Sequence, residues 1–328
     1  MPAILDGLPT DIRVSLESIK ADSCILNAQW MKLTSELDLN TNAINQCDSD
    51  KPTSALSLIS GTTIDEPDRG IDENLPEGEK YDPLNERRWM GGLTGPTSKG
   101  FRHMYFGGWK LSRPLATFQI PLRPVGQAPQ RVYLVAEHAR TALKNGDKTL
   151  AMRLLTWAAH YIQDLGQPFH STQVLSLRMV PWGSLFNLVS ETTRTISNYH
   201  WAYEEYVLLQ LQPGRFQNQD LLNCLRAPEK YASISIKKSD PKKLAQLVAA
   251  ASTDLAPKLG AAMMSLFGTT LKQSDVNLPL NKGRPDYAAY LTRPEFENQR
   301  REMDSGTCAA LSNTSLATRL LIEWALYP

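Results

Sequence analysis

Three of the five histidines in this 328-residue chain, His160, His170 and His200, stand in two segments that also hold carboxylates at helical spacing. The first segment is His160-Tyr161-Ile162-Gln163-Asp164-Leu165-Gly166-Gln167-Pro168-Phe169-His170, and the second is His200-Trp201-Ala202-Tyr203-Glu204. An α-helix turns once every 3.6 residues, so residues four apart share a face. His160 and Asp164 form one such pair, and His200 and Glu204 form another. Imidazole and carboxylate donors without cysteine suit zinc in a hydrolytic site, where one coordination position stays open to water.

Helices must present these pairs. Asp147 is a helix cap, and Leu150, Leu154, Leu155, Ala158 and Ile162 make the apolar stripe of a helix that runs from Lys148 to about Gln167. Pro168 ends it and turns the chain, so that His170 points away from the helix axis. The second pair lies on a helix over about 190–211. A helix from about Gln130 stops at Asn145-Gly146-Asp147 and carries His138, read as a solvated or core-edge histidine. One or two helices are expected over 9–35, capped at Thr10 or Asp11. Asp240-Pro241 starts a long one through Leu259 that Pro257 kinks, and two more cover 294–303 and 315–327.

The stretches between are loops. Residues 65–100 are dense in Asp, Glu, Gly and Pro, and a loop of that length inside a domain is usually functional. Phe101, Tyr105, Phe106 and Trp109 surround His103, whose plain reading is a loop histidine packed among rings. Residues 110–130 hold Pro114, Pro121, Pro124, Gly126 and Pro129 and read as a connector. Residues 174–190 are the most apolar of the chain and read as a buried helix or hairpin, with a lid that touches lipid as the sharper alternative. No set of β-branched runs with period two is visible. The expected fold class is all-α: a single, mainly helical domain over 1–328 with long loops around the His/carboxylate pairs.

Composition removes other classes. The net charge is +1, from 35 basic and 34 acidic residues, so no overall field draws the chain to nucleic acid or to an anionic membrane. Cys24, Cys47, Cys224 and Cys308 form no CxxC, and an oxidising compartment would allow them to pair. The first residues lack the basic start and apolar run of a signal peptide, and no apolar run is long enough to span a bilayer. There is no G-x-S-x-G elbow, P-loop or dinucleotide fingerprint.

The segment 160–170 resembles the signature of the zinc-dependent bacterial phospholipases C, H-Y-x-x-D-x-x-x-P-x-H. A similar core occurs in the single-strand nucleases of the same superfamily. The likeness extends over about 130–206, from Leu134-Val135-Ala136-Glu137 and Asn145-Gly146-Asp147 to His200-x-x-x-Glu204. The resemblance implies that His160 and Asp164 hold one zinc while His170, His200 and Glu204 hold another. It adds His103 and Asp65 as earlier metal ligands, with Glu66 and Asp68 as rivals of Asp65. Where the family has an N-terminal tryptophan and a histidine soon after, this sequence begins Met1-Pro2 and has no histidine before His103, so that the third zinc is absent, is held by another group, or belongs to a mature start other than this one. The implied complement is therefore two or three zinc ions.

The implied activity is zinc-dependent hydrolysis of a phosphodiester, most closely a phospholipase C that releases diacylglycerol and a phosphorylated headgroup. An uncommitted oxygen of Asp65 would serve as general base, and Phe101 and Tyr105 would contact the substrate. The Tyr after His160 and the glutamate at 204 favour the phospholipase branch. The alternatives are a single-strand nuclease, with nucleic acid as substrate, and a degenerate member that binds phospholipid or metal without turnover. The implied partner is a phospholipid, with peripheral membrane contact and no protein partner, and the implied location is secreted or periplasmic.

Overall fold

The computed structural model describes residues 1–21, 28–37, 53–60, 64, 66–67, 100–113, 116–176, 188–233, 235, 239–268, 270–272 and 287–327. Helix α1 (Pro2–Asp6) carries proline in its first turn, where the missing N–H has no partner to lose. Helix α2 (Thr10–Ser18) buries Ile12 and Leu16, with Pro9 as its cap in place of the expected Thr10 or Asp11. Strand β1 (Lys20–Ala21) separates it from α3 (Ala28–Leu37) and pairs antiparallel with β2 (Thr53–Ser54), which leads into α4 (Ala55–Ser60).

Where the sequence suggested a connector, the chain makes an antiparallel hairpin of β3 (Phe106–Arg113) and β4 (Ala116–Val125). The described residues remain mainly helical, as expected, but the reading of 110–130 is corrected. Pro121 and Pro124, which argued for a connector, lie on β4, and β4 is an edge strand. Proline lacks a ladder donor, and an edge is where a sheet tolerates it. Gly126 follows at φ 130°, and a Cβ there would lie 1.9 Å from the Met104 carbonyl oxygen. Only glycine fits that turn.

Helices α5 (Ala128–Lys144) and α6 (Lys148–Gly166) form a hairpin about Asn145-Gly146-Asp147, with Gly146 at φ 82°. Asp147 accepts the Leu150 backbone N–H at 3.1 Å and so caps α6 as anticipated. Most of α6 is buried, which explains why its sequence is apolar nearly all round. Gln167 is held extended ahead of Pro168, a residue before proline being disfavoured in the helical region, and α6 ends there. After a 3-10 turn, Pro168–His170, comes β5 (Gln173–Ser176), which runs parallel to β3 with Trp109 opposite Gln173. The sheet order is β4-β3-β5. Thus the apolar stretch 174–190 begins as a strand and ends in a helix, while 177–187 lie outside the described residues.

Helix α7 (Leu188–Leu211) carries the second His/Glu pair, and α8 (Gln219–Arg226) follows. Helix α9 (Pro241–Phe267) begins where Asp240-Pro241 indicated, Asp240 accepting from the Lys243 N–H, and continues through Pro257 beyond the expected Leu259. Helices α10 (Tyr287–Thr292) and α11 (Glu297–Leu326) complete the chain. The sequence suggested two helices in place of α11, because residues 304–315 are mostly small and polar and show no apolar stripe. They are small because neighbouring helices come close. A Cβ on Gly306 would lie 2.6 Å from Leu259, and one on Gly166 of α6 would lie 1.7 Å from the Thr314 hydroxyl.

One apolar core gathers α2, α5, α6, the start of α9 and the end of α11. A second joins Phe169, Tyr199, Tyr203 and Tyr206 to the later part of α9, with Tyr287 and Met303. The disulfide Cys224–Cys308 ties α8 to α11, whereas Cys24 and Cys47 lie outside the described residues. Among those residues no helix is long and apolar enough to cross a membrane.

Candidate metal centres

His160 and Asp164 lie one turn apart on α6, and the structure adds His103 to them from the loop before β3. The His103 Nδ1, His160 Nε2 and Asp164 Oδ2 atoms form a triangle with edges of 2.9, 3.2 and 3.2 Å. Ligand atoms around a tetrahedral ion with bonds of about 2.0 Å stand about 3.3 Å apart, so the triangle has the size of one face of such a site. With His160 Nε2 and His103 Nδ1 both deprotonated, their lone pairs, 3.2 Å apart, can be aimed at one shared cation. The size of the triangle and the donor types fit a metal ion, and all three residues are largely buried.

A second group consists of His170, His200 and Glu204. His200 Nε2 stands 2.9 Å from Glu204 Oε1 and His170 Nε2 stands 3.4 Å from the same oxygen, with the two imidazole centroids 4.7 Å apart. Here too two nitrogens and a carboxylate converge. Each cluster can hold one metal ion.

The unanticipated sheet positions the two groups beside one another. His103 precedes β3 by three residues and His170 precedes β5 by three, and the parallel pairing of these strands sets the two loops in register. Tyr105 N–H donates to the His170 carbonyl, and Gly107 N–H donates to that of Ser171, both at 3.1 Å. In return, His170 Nδ1 meets the His103 carbonyl oxygen at 2.9 Å. Nδ1 must carry the proton for that contact to be a hydrogen bond, which leaves the Nε2 lone pair for a metal. His103 thus contributes its side chain to one centre and orients a ligand of the other through its backbone.

Electrostatics follow from this packing. Burial raises the carboxyl pKa of Asp164, but the imidazoles of His160 and His103, by charge and hydrogen bond, outweigh it and hold the group far below the carboxylate range. Glu204 behaves alike, with burial opposed and overcome by His200 and His170. Burial lowers the pKa of His170, yet the hydrogen bond to Glu204 and the charges of Asp164 and Glu204 leave it raised.

Two supporting residues escaped the sequence reading. Gln167 accepts the Phe169 N–H with its Oε1 and donates from Nε2 to Glu204 Oε1 at 3.2 Å, thereby joining the turn to a ligand on α7. Its only sequence signal was a polar amide set between Gly166 and the helix-ending Pro168. Arg131 is buried and donates from Nη1 to the Tyr161 hydroxyl at 3.3 Å, while the Tyr161 ring packs against those of His103 and His160. A buried arginine on α5 has no distinguishing mark in sequence.

The remaining candidates fall as follows. Phe101, in the 3-10 turn before His103, is 43% exposed, and Tyr105 is half-buried against the first core. His138 pairs with Glu36 at 2.8 Å, away from both groups, as its core-edge reading supposed. Asp65 and Asp68 lie outside the described residues. Comparison of the chain with protein-family models, known proteins and solved structures gave no match.

Proposed function

We propose that this chain is a zinc-dependent phosphodiester hydrolase of phospholipase C type. The observation that carries the reading is the convergence of six residues into two His/His/carboxylate groups, in the order of the signature His160-Tyr161-x-x-Asp164-x-x-x-Pro168-x-His170 and its companion His200-x-x-x-Glu204. Two imidazoles and one carboxylate per centre, with no thiolate, favour zinc among the common ions. When bound, zinc supplies a Lewis acid that activates water near neutral pH and offsets the negative charge of the phosphorane-like transition state.

The residues of the chain do the rest. Asp164 and Glu204 would each supply one negative charge to offset that of the cation at their centre. The His170 tautomer is set by the His103 carbonyl, and Gln167 fixes Glu204. Asp65 is assigned as the further ligand and general base on the strength of the resemblance. Phe101 is exposed two residues before His103, and on the strength of the resemblance it and Tyr105 are assigned to the substrate, a ring there covering a lipid headgroup by cation–π contact. The disulfide between α8 and α11 supports a location outside the reducing cytoplasm.

The near-neutral charge favours phospholipid over nucleic acid, because a nuclease groove needs a basic lining. Purified chain loaded with zinc is to be assayed on phosphatidylcholine and on single-stranded DNA. Release of phosphocholine supports the proposal, cleavage of DNA alone transfers the chain to the nuclease branch, and inertness toward both with zinc bound leaves a non-catalytic binder.

A further inference from the structure

The two imidazoles of the first centre come from different parts of the chain, His103 from the loop before β3 and His160 from α6, yet both rest on one ring. The Tyr161 centroid lies 5.4 Å from that of His103, with the planes at 45°, and 5.5 Å from that of His160, with the planes at 82°. Ring pairs attract in tilted and edge-to-face arrangements with centroids about 4.5–7 Å apart. Tyr161 is 1% exposed and belongs to the first core. A buried ring that meets both imidazoles sets the angle between them.

The ring has an anchor of its own. Across the hairpin of α5 and α6, Arg131 donates from Nη1 to the Tyr161 hydroxyl at 3.3 Å, and the arginine is 2% exposed. Its other terminal nitrogen, Nη2, donates at 2.7 Å to the carbonyl oxygen of Leu37, the last residue of α3. The last carbonyls of a helix lack partners within it, and a cation there also meets the negative end of the helix dipole. The guanidinium is a rigid plane, so a nitrogen fixed at Leu37 fixes the direction of the bond to Tyr161. Two turns further along α5, His138 meets Glu36, the neighbour of Leu37, at 2.8 Å. Helix α5 therefore grips the end of α3 at two points, and the first of them continues to the histidines.

We infer that Arg131 and Tyr161 are positioning residues of the first centre: Arg131, anchored on the end of α3, holds the Tyr161 ring as the wall that aims His103 and His160 at one metal ion. This rests on the reading of His103, His160 and Asp164 as a metal site. Both ring contacts are to ligands of the first centre, so the effect is confined to it.

Cobalt(II) titration of the full chain, read by visible absorption and by elemental analysis, tests the inference in two backgrounds. His200→Ala leaves the first centre, and His160→Ala leaves the second. Tyr161→Phe keeps the ring but removes the acceptor for Arg131, whereas Tyr161→Leu removes the wall. With only the first centre present, Tyr161→Phe is expected to weaken cobalt binding about tenfold and Tyr161→Leu about 100-fold, the range found for groups that orient a metal ligand, each with a shifted cobalt absorption. Arg131→Met should reproduce the spectrum of Tyr161→Phe. The double variant should bind no worse than the weaker-binding single one, since both changes remove the same contact. With only the second centre present, the same substitutions should leave cobalt affinity and spectrum unchanged.

Thermal unfolding of each variant is followed alongside, and Tyr161→Phe, which alters one buried hydroxyl, carries the test if Tyr161→Leu fails to fold. Cobalt affinity and spectrum at the first centre unchanged in both Tyr161→Phe and Arg131→Met, with only the unfolding temperature lowered, would overturn the inference and leave the pair holding helices together. Equal weakening at both centres would overturn it as well. If the unsubstituted chain binds cobalt at neither centre, the metal reading itself fails, a result distinct from failure of the positioning role.

Discussion

The two candidate metal centres use the same donor set but are assembled differently. The first draws two ligands from one buried helix, α6, and one from the loop before β3, and its carboxylate is the better shielded, at 15% exposure against 34% for Glu204. The second takes two ligands from α7 and one from the 3-10 turn behind Pro168, and it depends on a side-chain amide, Gln167, for its carboxylate's placement. A centre built on a buried helix stripe takes its geometry from core packing. One built across a turn takes it from a few polar contacts.

The largest expected effect separates the centres outright. His160→Ala and His200→Ala should each remove one metal, leave the other, and lower phosphodiester hydrolysis by on the order of 10³-fold, since both ions would share the charge of one transition state. Elemental analysis with a phosphocholine-release assay reads both quantities. A variant that loses both metals would show that the centres do not load separately.

A smaller change should touch the second centre alone. Gln167→Leu removes the hydrogen bond to Glu204 Oε1 and should weaken the second centre's affinity about 10–100-fold, with the first unaltered. Competition with a chromophoric chelator measures this, and equal weakening of both centres would contradict the assigned role.

The smallest effect lies in the pH dependence of the metal-free chain. Asp164 and Glu204 have folded pKa values depressed below their ordinary 3.8 and 4.5, so their contribution to stability is present above those values and is lost as pH falls through the depressed ones. His170 is raised above 6.5, so its contribution is complete below that pH and is lost as pH rises through the folded value. Urea unfolding between pH 2 and 9 should therefore show greatest stability between about 4.5 and 6.5 for these groups. Asp164→Asn should flatten the acid limb more than Glu204→Gln does, because Asp164 is the more enclosed.

Much of the site was legible in the sequence because helical spacing is a local property. His160 with Asp164, His200 with Glu204, the cap at Asp147 and the stop at Pro168 all follow from positions within a turn or two. What the sequence hid was non-local. The parallel pairing of β3 with β5, which places His103 beside His170, joins strands more than sixty residues apart, and its edge strand carried prolines that argued against a sheet. Likewise α11 was divided because Gly306, Thr307 and Thr314 are small for the sake of close helix contacts that no periodicity reports. Glu66 was judged by its charge as a rival ligand, when its partners Arg153 and Trp157 lay far along the chain.

Metal binding at both groups is tested most directly by the zinc content of the full chain after equilibrium dialysis against micromolar zinc, compared with Asp164→Asn and Glu204→Gln. At least two zinc ions per parent chain are expected, with the loss of one, at a different centre, in each variant. A parent chain that retains none, or variants that retain as much zinc as the parent, would contradict that binding.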